Sequence, residues 1–415
     1  MNGLSSNNMS GNGSANPAGS TAPAPFLLTP VGKDYIWGGT RLKTDFQLGL
    51  DDVEPLAEAW VCSTHPDGGS RVNSSVLATD TANTANTVQL DLKTVLATHP
   101  EYLGTHAASI VNNANLSLGE LPILVKLIDA RSDLSVQVHP TDDYAAAYEP
   151  GQLGKTEMWY VIDADPDASL VYGLTREVTI AQFRDAIESG ETGRGEAGKL
   201  EKFLNRVPVK RGDVFFIRAG IIHAIGAGCL IAEVQESSNL TYRLYDYNRV
   251  DPKSGKKREL HVEKGLAVAE LGVCPVRQPM RTLKYRPGMA TELLARCRYF
   301  QVERMLINTQ VQAQGMKPRQ TRQTRQPNLD AELAVGENSF HVLLCINGKG
   351  ILVNNNCNCN NINNNNNYEA ASYTHSTNEY LPFAKGSCIF IPAAGKDTCC
   401  VYNIIGQAEL LNISC

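Results

Sequence analysis

The segment that decides the fold reads Leu134-Ser135-Val136-Gln137-Val138-His139-Pro140. Apolar and polar residues alternate along it, which predicts a β-strand with one face in a core, because successive side chains of a strand point to opposite faces. The polar face carries Ser135, Gln137 and His139. The Gln137 amide and the His139 imidazole are therefore expected side by side, as two potential ligands of one site.

Further candidate ligands follow along the chain. Glu157 opens the apolar run Glu157-Met158-Trp159-Tyr160-Val161, from which its side chain can point inward on a neighbouring strand. The segment from Gly212 to His223 reads GDVFFIRAGIIH. It predicts a strand, a tight turn that ends at Gly220, and then a histidine close to that turn.

These motifs carry a family resemblance. A glycine, five residues, a turn ending in glycine, two residues and a histidine resemble the second motif of the cupins, which are metal-binding β-barrels. The Gln-x-His form of the first motif, with Gly154-Lys155-Thr156-Glu157 and Ala219 to Gly226, resembles the type I mannose-6-phosphate isomerases of the short bacterial form. The likeness extends from Phe26 through Gly272, and more weakly through the C-terminal part.

The resemblance implies one Zn²⁺ per chain. The family's zinc ligands fall on Gln137, His139, Glu157 and His223. Two imidazoles, a carboxylate and an amide oxygen suit Zn²⁺ with a coordination position left for water or substrate. Iron or manganese could bind the same donors, and either histidine alone could be an ordinary buried side chain.

The resemblance also implies catalytic and substrate-binding residues. The family's catalytic arginine falls on Arg243, and both Arg243 and Arg249 are expected to bind the substrate, since guanidinium groups match phosphate oxygens bidentately. Lys155 matches a family lysine near the substrate, and Glu233 is a candidate for proton transfer. Each of these residues also has an alternative role. The two arginines could form surface salt bridges, Lys155 could be a solvated loop residue, and Glu233 could be a structural partner of Arg243. The base stays open among Lys155, Glu233 and metal-bound hydroxide.

Two positions depart from the family pattern. Asn239 stands where the family usually has aspartate, and it keeps an acceptor oxygen. Arg218 stands where cupins usually have proline, so a fixed φ before the turn is lost. Neither change removes a candidate ligand.

The implied function is aldose-ketose isomerisation, which in this family interconverts D-mannose 6-phosphate and D-fructose 6-phosphate. One alternative is a non-catalytic, metal-stabilised cupin that binds sugars or another protein. The presence of Lys155, Arg243 and Arg249 favours the enzyme. The other alternative is an iron-dependent cupin oxygenase, which would more naturally carry three histidines and a carboxylate, and Gln137 argues against it.

The sequence predicts a mainly β protein with two domains. A cupin-type β-barrel or jelly-roll domain with helical insertions is expected at 25–286, and a smaller cupin-like β domain at 287–415. A disordered tail is expected at 1–24, a linker or extended loop at 310–328, and a disordered asparagine-rich loop at 354–367, because these stretches offer too little apolar area to offset the entropy of ordering them.

Two helices are predicted within the first domain. One includes Leu92 to Tyr102. The other starts at Thr179, which can cap it with Gln182, has Ile180, Phe183 and Ile187 on one apolar face, and stops at Gly190.

Composition narrows the range of partners. The chain has 415 residues and a formal net charge of -5, which disfavours nucleic acid and anionic membranes as partners. No signal-like start or membrane-length apolar run is present, and the eleven cysteines form no paired zinc knuckle. The sequence therefore predicts a cytoplasmic protein that binds a small sugar phosphate, as a monomer or a homodimer.

Overall fold

The computed structural model describes residues 24–73, 88–192, 198–274, 281–309, 331–354 and 380–415. Within these ranges the chain is mainly β, which confirms the predicted fold class. The expected tail up to residue 23, the linker at 310–328 and the asparagine-rich stretch from residue 355 lie outside the described residues. Asn354, predicted to begin that loop, is instead the buried last residue of a long strand.

The described residues form twenty-two strands. Their bounds are β1 Phe26–Leu28, β2 Val31–Lys33, β3 Glu58–Cys62, β4 Arg71–Asn73, β5 Gln89–Asp91, β6 Ile123–Asp129, β7 Val136–Val138, β8 Glu157–Ala164, β9 Ser169–Leu174, β10 Leu204–Pro208, β11 Val214–Ile217, β12 His223–Ile225, β13 Cys229–Glu236, β14 Tyr242–Tyr245, β15 Lys284–Arg286, β16 Met289–Arg296, β17 Gln301–Asn308, β18 Ala331–Gly336, β19 His341–Asn354, β20 Tyr380–Ala384, β21 Cys388–Ile391 and β22 Cys399–Ser414.

The described ranges also contain six α-helices: α1 Arg41–Thr44, α2 Leu92–Thr98, α3 Thr105–Asn113, α4 Asp142–Tyr148, α5 Ile180–Thr192 and α6 Val262–Val268. A 3₁₀ turn at Pro100–Leu103 follows α2, so the first predicted helix is broken before proline, which cannot continue an α-helix. None of the described helices combines the length and the apolar character that crossing a membrane requires.

Helix α5 follows its predicted start but not its predicted end. Thr179 and Gln182 cap it reciprocally: the Gln182 N–H donates to Thr179 Oγ1 at 3.2 Å, and the Thr179 N–H donates to Gln182 Oε1 at 2.9 Å. Phe183 is buried, but Ile180 is 51% exposed because it lies in the first turn, at the edge of the packed face. The helix also continues through Gly190.

Two sheets form the first half of the fold. One has the strand order β11-β8-β13-β6-β3-β2, and the other has the order β10-β9-β12-β7-β14. They pack against each other across an apolar cluster that includes Ile128 and Trp159 from the six-stranded sheet and Leu170 and Ile225 from the five-stranded sheet. The outer face of the five-stranded sheet is covered by α5 and α6. This leaves one interior between the two sheets.

A nine-stranded sheet forms the second half, with the order β1-β21-β19-β22-β17-β16-β15, while β18 also pairs with β22 and β20 with β19. The sequence assigned Phe26–Leu28 and Lys284–Arg286 to the first domain, whereas both segments pair with strands of this sheet. Local sequence patterns cannot reveal the pairing of β1, because its partner, β21, lies near the other end of the chain. The division at 286/287 itself stays a prediction.

Strand β19 shows how this sheet joins the first half. Alternate residues face two different clusters: Val342 and Leu344 pack in the cluster shared with the six-stranded sheet, and Leu343 and Cys345 pack in a cluster within the second half. The two halves therefore share one continuous core, in which burial contributes about 25 cal/mol per Å² of apolar surface.

The same strand contains a bulge in its middle. Two apolar runs around Asn347 to Gly350 are one continuous strand, with a bulge between Cys345 and Asn347. Gly348 lies beside this bulge with φ at +83°, and a Cβ there would lie 2.1 Å from the Gln407 carbonyl oxygen. Gly348 therefore permits a close approach of two backbone segments and does not mark a turn.

A buried ion cluster links the two halves. Glu409 of β22 accepts hydrogen bonds from Tyr160 Oη of β8 at 2.7 Å, from Arg304 Nε at 2.7 Å and from Arg211 Nη2 at 2.8 Å. The Glu409 side chain is only 7% exposed. This carboxylate thus contacts two guanidinium groups and accepts the hydrogen bond of a buried phenol, while Glu292 also contacts Arg304, at 3.2 Å.

We expect Glu409→Ala to lower the free energy of unfolding by about 2 kcal/mol, because it removes one of the two carboxylates that contact Arg304 and the acceptor of the buried Tyr160 hydroxyl. The loss should stay below that of a fully buried pair, since Arg211 and Arg304 remain partly hydrated. Urea unfolding measures it, with Glu332→Ala on an exposed position of β18 as the matched control. Equal unfolding midpoints for the two variants would contradict this role of Glu409.

Candidate metal centre and active site

The two sheets bring the predicted ligands together in their shared interior. On β7, Gln137 lies opposite His223 of β12 and opposite Arg243 of β14. On the facing sheet, Glu157 of β8 pairs with Gln235 of β13, and Glu233 of β13 pairs with Trp159. His139 follows β7 directly. Residues far apart in sequence thus meet because three antiparallel registers align them.

Both imidazole rings are fixed by backbone carbonyls. His139 Nδ1 lies 2.9 Å from the Leu240 carbonyl oxygen, and His223 Nδ1 lies 2.8 Å from the Ile221 carbonyl oxygen. Each Nδ1 therefore carries the proton, and each Nε2 carries a lone pair. The two Nε2 atoms face each other at 3.1 Å. A carbonyl oxygen that fixes the protonated ring nitrogen in this way is typical of metal-binding histidines.

Glu157 completes a group of three ligand atoms. Its Oε1 lies 3.4 Å from His223 Nε2, and its Oε2 lies 3.6 Å from His139 Nε2. The carboxylate is fully buried, and among the described residues no donor forms a hydrogen bond to Oε1. A buried, under-satisfied carboxylate that converges with two lone pairs fits a bound cation. The described residues contain no second group of this kind.

Gln137 lies beside this group. Its amide Nε2 is 3.3 Å from His223 Nε2, and Ser135 Oγ donates to its Oε1 at 3.5 Å. The oxygen and nitrogen of a side-chain amide are exchanged by a half-turn, so the same position can present an oxygen to a metal. Leu134, predicted to share the apolar face of the strand, lines the cavity instead, because β7 begins only at Val136.

Burial keeps both histidines neutral at pH 7. It lowers the pKa of His139 well below the usual range, with the nearby Lys155 ammonium as the second cause, and it lowers the pKa of His223 to about 4. Neutral imidazole is the form that binds metal. Burial and then the Glu233 carboxylate raise the pKa of Glu157, so the ionised form of this carboxylate requires nearby positive charge.

Two lysines supply part of that charge. Lys155 Nζ lies 2.6 Å from Glu157 Oε2 and 3.7 Å from Glu233 Oε1, and Lys126 Nζ lies 3.3 Å from Glu233 Oε1. Although burial opposes it, Lys155 and Lys126 together with the Trp159 N–H lower the pKa of Glu233. Sequence reasoning missed Lys126 as a site residue. Its signal was a single charged residue inside the apolar run of β6.

A cavity of about 210 Å³ extends from this centre. Its lining includes Gln137, Lys155, Glu233 and Arg243. Arg243 Nε donates to Ser135 Oγ at 3.3 Å, and its Nη1 donates to the Glu259 carbonyl oxygen at 2.9 Å. The structure thus brings the predicted catalytic arginine into the cavity that is also lined by Gln137 and Lys155, two residues in contact with the ligand group.

Arg249 lies apart from the cavity lining. Its guanidinium donates to the Asp133 carbonyl oxygen at 2.5 Å and contacts the Asp246 carboxylate. Arg258 lines the cavity instead, and sequence reasoning missed it because no motif marks this position.

The comparisons with known proteins agree with this geometry. The family model for the catalytic domain of type I phosphomannose isomerase matches residues 26–185. The mannose-6-phosphate isomerase ManA of Bacillus subtilis is 36% identical over 294 residues, which are 71% of this chain and 83% of ManA. The chain belongs to the type I mannose-6-phosphate isomerase family.

Two further comparisons extend this finding. A probable mannose-6-phosphate isomerase of Bacillus subtilis, GmuF, is 39% identical over 244 residues, which are 59% of this chain and 68% of GmuF. The crystal structure of the mannose 6-phosphate isomerase from Bacillus subtilis matches with a TM-score of 0.67 at 28% identity, over 94% of this chain and 99% of that chain.

The structure gives each departure from the isomerase family pattern a local partner. Asn239 lines the cavity, and its Nδ2 donates to Asp67 Oδ2 at 2.8 Å. An aspartate at position 239 would place two carboxylates against each other, so asparagine suits a chain that has Asp67. Arg218 forms an ion pair with Glu270.

We expect Asn239→Asp to lower the free energy of unfolding at pH 7 by about 0.5–1 kcal/mol relative to Asn239→Ala. Both variants lose the hydrogen bond, but only the aspartate adds repulsion. The difference should shrink towards pH 4, as one of the two carboxylates becomes protonated and the repulsion disappears. Urea unfolding at both pH values measures it. An aspartate variant as stable as the alanine variant at pH 7 would refute the contact.

Proposed function

We propose that this chain interconverts mannose 6-phosphate and fructose 6-phosphate with one bound Zn²⁺. The observation that carries the proposal is the convergence of His139, Glu157 and His223 next to a cavity that Gln137, Lys155 and Arg243 line. A non-catalytic binding module would need only the residues that hold the metal. A cation, a lysine and an arginine around one cavity supply what proton transfer beside a carbonyl group requires.

Gln137, His139, Glu157 and His223 would hold the metal. When bound, Zn²⁺ supplies Lewis-acid polarisation of the sugar oxygens. Two nitrogen and two oxygen donors favour this ion over calcium and magnesium, which prefer oxygen ligands alone.

The reaction moves the C2 proton of the open-chain aldose to C1, while the proton on O2 moves to O1. Negative charge develops on these oxygens as the C2 proton leaves. The Arg243 guanidinium, held by Ser135 and by the Glu259 carbonyl oxygen, is fixed before the reaction and needs no reorganisation to stabilise that charge.

Lys155 is the residue to which we assign the proton transfer between the carbons. Glu233 is the weaker base, because Lys126, Lys155 and Trp159 stabilise its ionised form. Lys155 would first release its ammonium proton to solvent, and its neutral Nζ would then take the proton from C2 and return it to C1. Glu233 Oε1, at 3.7 Å, would hold the resulting ammonium group in place.

His223→Ala should lose most of its bound metal, at least tenfold in affinity, together with its activity on mannose 6-phosphate, because the remaining donors are too few to hold zinc. Elemental analysis and formation of fructose 6-phosphate, with and without a chelator, give the two readouts. His106→Ala, at an exposed histidine of α3, is the matched control.

Three outcomes of this experiment have distinct meanings. Full zinc occupancy in His223→Ala would overturn the ligand assignment. Bound iron or manganese as the activating ion would overturn the choice of metal. A metal-loaded parent protein that leaves mannose 6-phosphate unchanged would favour the sugar-binding module instead of the enzyme.

Arg243→Ala should lower kcat about a hundredfold, by analogy with the loss of one donor to a developing oxyanion, while the zinc content stays the same. KM should change less, because the contact is stronger in the transition state than in the bound substrate. Arg243→Lys should restore only part of the rate, since it keeps the charge but not the planar fork. Steady-state kinetics on metal-loaded variants decide, and a parental kcat in Arg243→Ala would exclude this role.

A further inference from the structure

A cluster of charged residues adjoins Arg243. It consists of Arg243, Arg249 and Arg258 with the carboxylate of Asp246, and it is called the arginine cluster below. Asp246 is buried, with 3% of its surface exposed. No part of the chemistry derived above uses Arg258 or Asp246.

Asp246 fixes the orientation of Arg258. Arg258 Nε donates to Asp246 Oδ2 at 2.8 Å, and Arg258 Nη2 donates to Asp246 Oδ1 at 2.5 Å. This two-point contact holds the planar guanidinium in one orientation. A short hairpin, with a bridge between Val250 and Lys257, brings Arg258 back beside Asp246 after the chain has passed Arg249.

The three arginines differ in the donors that they leave unused. Each side-chain nitrogen of Arg249 has a partner: its Nε donates to the Asp246 carbonyl oxygen, its Nη1 to the Asp133 carbonyl oxygen and its Nη2 to the Asp246 carboxylate. Within the described part of the chain, Arg258 Nη1 and Arg243 Nη2 have no hydrogen-bond partner. Both of these residues line the cavity, and Arg249 does not.

The charge of the arginine cluster is unbalanced. Three guanidinium groups face one carboxylate, which leaves two positive charges. Burial and then the positive charge of Arg258 lower the pKa of Arg243, as expected for cations held close together. A phosphate monoester carries about 1.5 to 2 negative charges at pH 7 and has several strong acceptor oxygens, so it matches both the excess charge and the unused donors.

We infer that Arg258 binds the phosphate group of the substrate through Nη1, beside Nη2 of Arg243, and that Arg249 serves to hold Asp246 rather than to bind substrate. The inference rests on the proposed function, because it takes a sugar phosphate as the ligand. It places the phosphate at the arginine cluster and the reacting carbons near the ligand group. Arg258 is thereby a determinant of specificity for a phosphorylated sugar.

The test compares metal-loaded parent protein, Arg258→Gln, Arg258→Lys and a control, Arg184→Gln, whose arginine forms an exposed ion pair with Glu263 on α6. In Arg258→Gln we expect KM for mannose 6-phosphate to rise about tenfold to a hundredfold, as for the loss of a hydrogen bond to a charged group. The inhibition constant of inorganic phosphate should rise by a similar factor. The kcat should stay within about threefold, and zinc content should not change.

Arg258→Lys should give intermediate values, because lysine keeps the charge and one contact with Asp246. It also serves as the test if Arg258→Gln does not fold. A parental KM and a parental phosphate inhibition constant in the variants would overturn the inference, as would a fall in kcat with KM unchanged.

Calorimetric titration with inorganic phosphate separates this inference from the proposed function. If the parent protein does not isomerise mannose 6-phosphate but binds phosphate, and Arg258→Gln loses that binding, the phosphate site stands and the isomerase proposal fails. If the parent protein isomerises the substrate and Arg258→Gln binds phosphate as tightly as the parent does, the isomerase proposal stands and the assignment of the phosphate site to Arg258 fails.

Discussion

Two imidazole lone pairs face each other at 3.1 Å beside a buried carboxylate, and this contact constrains the interior around it. Without a cation, the nitrogen lone pairs repel each other and the Glu157 carboxylate is poorly solvated. The carbonyl groups of Leu240 and Ile221 keep both rings in this tautomer. The surrounding strands therefore hold a site whose electrostatic energy is lowered by a bound positive ion, at some cost to the stability of the empty protein.

The charged groups around the cavity fall into two sets with different net charge. Near the ligand group, the carboxylates of Glu58, Glu157 and Glu233 face the ammonium groups of Lys126 and Lys155, which leaves one negative charge in excess. Further along, the arginine cluster has excess positive charge. A ligand with a neutral, polarisable carbonyl end and an anionic end would fit in only one direction. Such polarity orients a small molecule without requiring close contacts along its whole length.

Sequence predicted the parts of the site that depend on local alternation. Gln137 and His139 share a strand face, and Glu157 and His223 open strands that point into the same interior. The roles of Arg249 and Arg258 could not be predicted in this way, because they depend on which guanidinium nitrogens already have a hydrogen-bond partner in the folded protein. Likewise, the exposed Ile180 and the pairing of β1 with β21 follow from contacts between distant segments, on which local patterns carry no information.

The pairing of β1 with β21 also affects how the chain can fold during synthesis. Phe26 is among the first core residues to leave the ribosome, and its partner Phe390 follows about 360 residues later. At typical elongation rates of about 5–20 residues per second, β1 waits tens of seconds for its neighbour. During that time its apolar side chains and its unpaired backbone groups remain open to other partners, including chaperones and neighbouring nascent chains.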